Sequence, residues 1–183
     1  ESRYLGKLLL SAVPVGIIGL FFRDRVESLF TGSMIVVGCC LLVTAALLAF
    51  AHFRKKGHGM EISWLHSLVI GVAQAMAVLP GISRSGATIA TGLILGNDRK
   101  EVARFSFLMV LLPILGANLL DLLRQEALSG QNITAWPLIA GFLTAFTVGV
   151  LACSWMIRIV NRGKLIYFAL YCLLIGVIAI FAA

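Results

Sequence analysis

Leu79-Pro80-Gly81-Ile82-Ser83-Arg84-Ser85-Gly86-Ala87-Thr88 is the stretch that decides how this chain folds. It sets a Pro-Gly turn, two serines and an arginine in the middle of a segment, Leu65 to Gly96, that is otherwise largely apolar. Pro80 removes a backbone donor and biases its predecessor away from helix, and Gly81 accepts a left-handed backbone, so a helix arriving from Leu65 has to stop here. A second helix opens after the turn. From Gly86 to Gly96 it covers only about 15 Å at 1.5 Å per residue, against an apolar bilayer core about 30 Å thick. Two half-helices meeting at a polar turn, entering and leaving on the same side, satisfy the backbone better than a single crossing does.

The surrounding sequence is of membrane type. Of 183 residues 60% are hydrophobic and 13% charged, and the mean hydropathy is +1.01, which excludes an ordinary soluble domain at roughly 25% charged. Apolar runs of spanning length fall at about 5–22, 33–53, 105–123, 135–157 and 165–183, against the roughly 20 residues a crossing helix needs. The expected fold is therefore all-α: a polytopic integral membrane domain over 1–183, with about five transmembrane helices and one re-entrant hairpin at about 65–96. The net charge of +7 does not indicate nucleic acid, because the cations sit in short clusters between apolar runs rather than along a polar face. With the start of the chain inside, Arg3, Lys7, Arg54, Lys55, Lys56, Arg99, Lys100, Arg104, Arg158, Arg162 and Lys164 lie inside and Arg23, Arg25 and Arg124 outside, in keeping with the positive-inside rule. The C-terminus then faces out, and a single crossing by Leu65–Gly96 would destroy the bias. Cys39, Cys40, Cys153 and Cys172 lie in apolar runs without metal or disulfide spacing and read as small fillers.

Arg84 is the cation left over from that tally. An arginine at membrane depth costs about 2.5–3.5 kcal/mol on insertion scales and normally has a partner. No acid is near it in sequence: Asp24, Glu27, Glu61, Asp98, Glu101 and Glu126 fall in loops or at helix ends, and Asp121 sits near an outer boundary. The half-helix that follows opens on Ser, Gly, Ala and Thr, so its first N–H groups, its dipole and the hydroxyls of Ser83, Ser85 and Thr88 form an anion site suited to phosphate. Arg84 adds a bidentate contact and Gly86 allows close approach. The plainer alternative makes Ser83 or Ser85 an N-cap and lets Arg84 snorkel to the interface. Gln74, on the half-helix leading into the turn, is the further polar candidate.

The run Ala73-Gln74-Ala75 through Leu79-Pro80-Gly81-Ile82-Ser83-Arg84-Ser85-Gly86-Ala87-Thr88, followed by Arg104-Phe105-Ser106-Phe107-Leu108, closely resembles a signature region of bacterial undecaprenyl-diphosphate phosphatases. The Pro14-containing helix and the closing Tyr167-Phe168-Ala169-Leu170-Tyr171 run extend the resemblance along the chain. It implies inverted repeats, each pairing a re-entrant hairpin with three spans, in a multi-pass protein of the bacterial inner (plasma) membrane. It also implies hydrolysis of the C55 isoprenoid diphosphate that serves the cell wall. By the same resemblance Arg84 binds the diphosphate, Ser83, Ser85 and Thr88 line the pocket, and Mg²⁺ or Ca²⁺ takes part; Gly86 and Gln74 join the phosphate-binding set from their places in the turn and on the half-helix before it. Ser83 acts as a nucleophile only if a general base is in reach. The family's glutamate-rich first signature has no match here, and with Glu1 in place of an initiator Met the expectation is that an N-terminal part of the fold precedes this sequence. Cys172 stands where many relatives carry Arg, so one phosphate-contacting cation is expected to be absent or replaced. A lipid-phosphate carrier or flippase remains the alternative, because half-helices facing anionic substrates also mark transporters. A homo-oligomer stays open.

Weaker signals surround this centre. Ser106, Asn118 and His66 read as interhelical hydrogen-bonding groups, His52 and His58 as interface residues, and Asn132-Ile133-Thr134 as an incidental sequon. Gly92-x-x-x-Gly96 reads as small-residue packing. Pro14-x-Gly16 and Pro113-x-x-Gly116 give a faint internal echo.

Overall fold

The computed structural model describes residues 2–21, 34–53, 59–123 and 135–182. Among these the regular elements are α-helices: α1 Ser2–Phe21, α2 Met34–Phe53, α3 Trp64–Met76, α4 Arg84–Ile94, α5 Arg99–Leu123, α6 Ala135–Asn161 and α7 Leu165–Phe181. α2, Arg99–Leu119 of α5 and Trp136–Asn161 of α6 are long and apolar enough to cross a membrane. α1 and α7 are apolar helices of 20 and 17 residues. The chain is thus an all-helical protein of membrane type.

The break expected at Pro80-Gly81 falls within a non-helical turn, 77–83, between α3, which already ends at Met76, and α4, which begins at Arg84. α3 has 13 residues and α4 has 11, or about 20 and 16 Å at 1.5 Å per residue, so neither crosses a 30 Å core alone. Gly81 adopts φ +95°, and a Cβ there would stand 2.5 Å from the Val37 carbonyl oxygen and 2.9 Å from Cys40 Cβ on α2. The far ends of the hairpin are fastened to each other. Met60 and Asn97 form a parallel bridge, the Asp98 N–H donates to the Met60 carbonyl at 3.2 Å, and the Asn97 amide donates to the Met60 and Glu61 carbonyls at 3.2 and 3.1 Å.

This hairpin is the centre of the packing. α3 lies on α1, α4 on α2 and α5, and the two halves on each other, while α2 and α7 make the broadest helix contact. Ile70, Ile89, Val102, Phe105 and Met109 are fully buried between these elements. Small residues set the distances: a Cβ on Gly71 would strike the Ser11 backbone at 2.5 Å, and one on Gly92 would strike Val102 at 2.6 Å. Gly92 therefore packs as expected. Its partner Gly96 instead stops α4, with φ +88° and the Asn97 N–H returning to the Gly92 carbonyl at 3.2 Å, a glycine-terminated helix end.

The described basic clusters gather at one end. Tyr4 packs edge-on against Phe105 with ring centroids 5.9 Å apart, and the Ser67 hydroxyl donates to the Lys7 carbonyl. A ring nitrogen of His52 lies 3.1 Å from the Gly163 carbonyl, and the Arg99 guanidinium lies over Gly163. These contacts bring the starts of α1, α3 and α5, the end of α2 and the α6–α7 turn together. His52 therefore ties two elements rather than facing an interface alone.

Two boundaries differ from the apolar runs. α5 begins at Arg99 rather than near 105, because Asp98 Oδ1 accepts from the Lys100 and Glu101 N–H groups at 2.8 and 3.2 Å and starts the helix in charged sequence. α6 continues to Asn161, past 157, because Arg158 and its neighbours extend the helix beyond the apolar stretch. Pro14 and Pro113 both lie inside continuous helices. Asp24, Glu27, Arg23, Arg25, Arg54, Lys55, Lys56, His58, Arg124, Glu126 and Asn132-Ile133-Thr134 lie outside the described residues, as does the Asp121 side chain.

The Gly81 contact gives a direct test. Gly81→Ala combines a left-handed backbone with overpacking against α2 and is expected to cost roughly 2 kcal/mol or more. Gly16→Ala, where nothing lies within 4 Å, should be close to neutral. Thermal unfolding in detergent should show a clear drop for the first and little change for the second.

Candidate functional site

The site is built on the first turn of α4. Ser83 has extended backbone angles and caps the helix, its Oγ accepting from the Gly86 N–H at 3.2 Å. The capping role that competed with ligand binding in the sequence is therefore real. It does not consume the residue, because a hydroxyl that accepts still has its own proton to donate. The N–H groups of Arg84 and Ser85 have no protein acceptor among the described residues, as expected for the first positions of a helix. No carboxylate lies within ion-pair distance of the Arg84 guanidinium among the described residues. An unanswered guanidinium, two open N–H groups and the positive end of α4 thus converge at one turn.

The remaining candidates are placed differently. Ser85 is partly buried beside Arg84. Gly86 is buried, and a Cβ there would stand 2.9 Å from Ser83 Oγ and 3.4 Å from the Thr44 methyl, so its lack of a side chain is needed for the cap itself. Thr88 is fully buried and donates its hydroxyl to the Arg84 and Ser85 carbonyls at 3.0 and 3.3 Å. Gln74 is fully buried, yet neither atom of its amide has a partner. A buried unmet amide costs about 1–3 kcal/mol per group, so such a side chain calls for a polar partner. Ser106, almost fully buried with an unpartnered hydroxyl on the neighbouring α5, raises the same question.

One residue of this site escaped the sequence reading. Thr44, fully buried on α2, accepts the Ser83 N–H on Oγ1 at 3.2 Å and donates to the Cys40 carbonyl at 3.1 Å. It anchors the residue just before Arg84 to a different helix. Its only sequence signal is a lone threonine in an apolar run, which ordinarily means back-bonding within a helix.

Cys172 is the small filler that the sequence suggests. It is 2% exposed on α7, one turn before Gly176, whose added Cβ would stand 3.0 Å from the Gly38 carbonyl. This is the tight α2–α7 seam, and the thiol there fills space and supplies no charge to a phosphate site. The described residues do not by themselves offer a ligand set for the divalent cation that the resemblance implies. Mg²⁺ and Ca²⁺ need several oxygen ligands, usually with carboxylates, and among the described residues no three of His, Cys, Asp and Glu come together.

A broken helix pair, with a cation-bearing helix start set among apolar helices of spanning type, defines the class as a helical membrane-type protein. The family model for the bacitracin resistance protein BacA matches residues 1–178, and the chain belongs to that family. It is 52% identical over 183 residues to the undecaprenyl-diphosphatase of Bacteroides fragilis, covering 98% of this chain and 68% of the relative. It is 45% identical to that of Christiangramia forsetii, covering 100% and 69%. The undecaprenyl-diphosphatase of Methanothermobacter thermautotrophicus is 39% identical over 181 residues, covering 96% of this chain and 98% of the relative.

Replacing Thr44 isolates its anchoring role. Thr44→Val keeps the shape but leaves the Ser83 N–H unanswered, and should weaken binding of inorganic diphosphate by roughly 5- to 30-fold, on the order of 1–2 kcal/mol. Thr44→Ser should restore most of it. Calorimetric titration of both variants checks this, and equal losses would assign Thr44 to packing alone.

Proposed function

We propose that this protein is an undecaprenyl-diphosphate phosphatase of the bacterial inner membrane, releasing inorganic phosphate from the C55 isoprenoid diphosphate and leaving the monophosphate. The observation that carries the assignment is Arg84, a cation without a carboxylate at a helix start whose N–H groups are open. The relatives named undecaprenyl-diphosphatase at 45–52% identity supply the substrate.

In this reaction the bond between the terminal phosphorus and its bridging oxygen breaks, water supplies the new oxygen, and the lipid monophosphate is the leaving group. Such transfer depends chiefly on positioning and on neutralising phosphate charge. Arg84 takes two phosphate oxygens, the Arg84 and Ser85 N–H groups take another, and the hydroxyl protons of Ser83 and Ser85 complete the set. Gln74 offers its unpartnered amide from α3, and Thr88, whose proton is directed to backbone, supports the turn from behind. Ser83 is assigned to binding, because no carboxylate or imidazole lies within hydrogen-bond distance of its hydroxyl among the described residues to act as base.

The membrane arrangement belongs to the same proposal. α1, α2, α5, α6 and α7 cross, and α3 and α4 form a re-entrant hairpin. The Met60–Asn97 bridge supports this by holding the residues before α3 and after α4 side by side, at the end where the cations cluster. The start of the chain then lies inside and the C-terminus outside.

Two measurements test these statements. Arg84→Ala should lower phosphate release from undecaprenyl diphosphate by roughly 10²–10³-fold, the scale of losing one preorganised charge-stabilising group, with unchanged folding in detergent. Near-normal turnover would remove Arg84 from the site, and binding of the lipid diphosphate without hydrolysis by the unaltered protein would favour a carrier. Single cysteines at positions 59 and 100, in a background freed of the native four, should react with impermeant maleimide from the same side, and opposite sides would end the re-entrant model.

A further inference from the structure

The α6–α7 turn carries a second cluster that the Arg84 site does not use. The turn is rigid: the Arg162 N–H donates to the Arg158 carbonyl at 3.1 Å, Gly163 to Val160 at 2.9 Å and Lys164 to Ile159 at 3.1 Å. Gly163 adopts φ +69°, and its carbonyl is tied to His52 of α2. On this platform Trp155, Arg158, Arg162, Lys164, Tyr167 and Tyr171 line a recess of about 430 Å³. Lys164 Nζ stands 5.9 Å from the centroid of the Tyr167 ring. Among the described residues no Asp or Glu lines the recess, and none follows Glu126 in the sequence.

Cations brought together without a carboxylate repel one another, and a phosphate group between them removes that cost. Arg158 lies in the last turn of α6 and Arg162 just after its end, four residues apart and joined by the Arg162 N–H to Arg158 carbonyl bond, so the turn holds the two cations next to each other. Trp155 and Tyr171 are 69% and 58% exposed, as amphipathic rings are at the level of lipid head groups. Both helices continue away from the recess as exposed apolar rods, including Leu151 at 70% and Leu174 at 56%, along which acyl chains can lie. The recess belongs to the end that holds Asn97, whereas the Arg84 turn lies one length of α4 deeper, about 16 Å.

We propose that this recess binds the phosphate head group of an anionic diacyl phospholipid from the leaflet on the basic side of the membrane. The inference goes beyond the phosphatase assignment and rests only on membrane insertion. Charge complementarity sets the selectivity. The cations answer a head group with net negative charge, and no carboxylate is present to hold the ammonium of a zwitterionic one, as expected of basic pockets between membrane helices.

Native mass spectrometry of the delipidated full chain, titrated with phosphatidylglycerol, phosphatidylethanolamine or undecaprenyl phosphate, tests it. Phosphatidylglycerol should reach half-occupancy at a concentration at least about tenfold below phosphatidylethanolamine, and each of Arg158→Gln, Arg162→Gln and Lys164→Gln should cut that preference by roughly fivefold. Arg84→Ala should leave it intact. Parity between the two phospholipids in the unaltered protein would overturn the proposal whether or not any variant folds. Displacement of phosphatidylglycerol by an equal concentration of undecaprenyl phosphate, lost in the same Gln variants, would also overturn it by giving the recess to the isoprenoid. Both results are independent of phosphatase turnover.

Discussion

A helix that starts inside an apolar bundle has open N–H groups that apolar neighbours cannot answer. That constraint organises this molecule. α4 begins at Arg84, deep beneath the end where Met60 and Asn97 pair, and its first turn is met in part by the Ser83 cap and in part by nothing the described residues provide. Unanswered backbone donors in low dielectric are expensive. The same donors become a selective anion site when the structure around them is rigid enough to hold them in place.

The rigidity comes from α2. Thr44 takes the N–H of Ser83, and the Val37 carbonyl and Cys40 occupy the space that a side chain at position 81 would need. α2 is fixed in turn by α7, where Gly38 and Gly176 let the two backbones approach closely, in the manner of small residues at membrane helix interfaces. The chain of support thus runs from the Gly38–Gly176 seam through Thr44 to the turn that holds Arg84. Cys172 belongs to this support as a small buried filler.

Much of this was legible in the sequence because it is local. The Pro80-Gly81 break, the two half-helices, the capping character of Ser83 and the lone cation at position 84 follow from neighbouring residues and helix rules. What was not legible depends on partners far along the chain. Thr44 is 39 residues from Ser83, and nothing in Val43-Thr44-Ala45 sets it apart from an ordinary buried threonine. Asn97 reads as a loop polar residue until Met60, 37 residues away, is placed beside it. The early start of α5 was hidden for a different reason: hydropathy counts apolar residues, whereas the helix begins at a charged cap, Asp98.

The distribution of charge completes the argument. Glu61, Asp98 and Glu101 all lie at the end of the hairpin where Met60 and Asn97 pair, about 16 Å from Arg84 by the length of α4. A carboxylate beside Arg84 would give a neutral buried pair with no remaining attraction for phosphate. At about 16 Å, next to the aqueous interface, the same carboxylates are strongly screened. Separating the described acids from this one cation leaves the partly buried Arg84 without a carboxylate and open to the anionic group proposed for it. The cost of holding it there is met by the Thr44 anchor, the Ser83 cap and the packed seam of α2 and α7. Affinity for the anionic group and tolerance of an unpaired arginine therefore have the same origin, a turn held in position by helices that carry no charge near it.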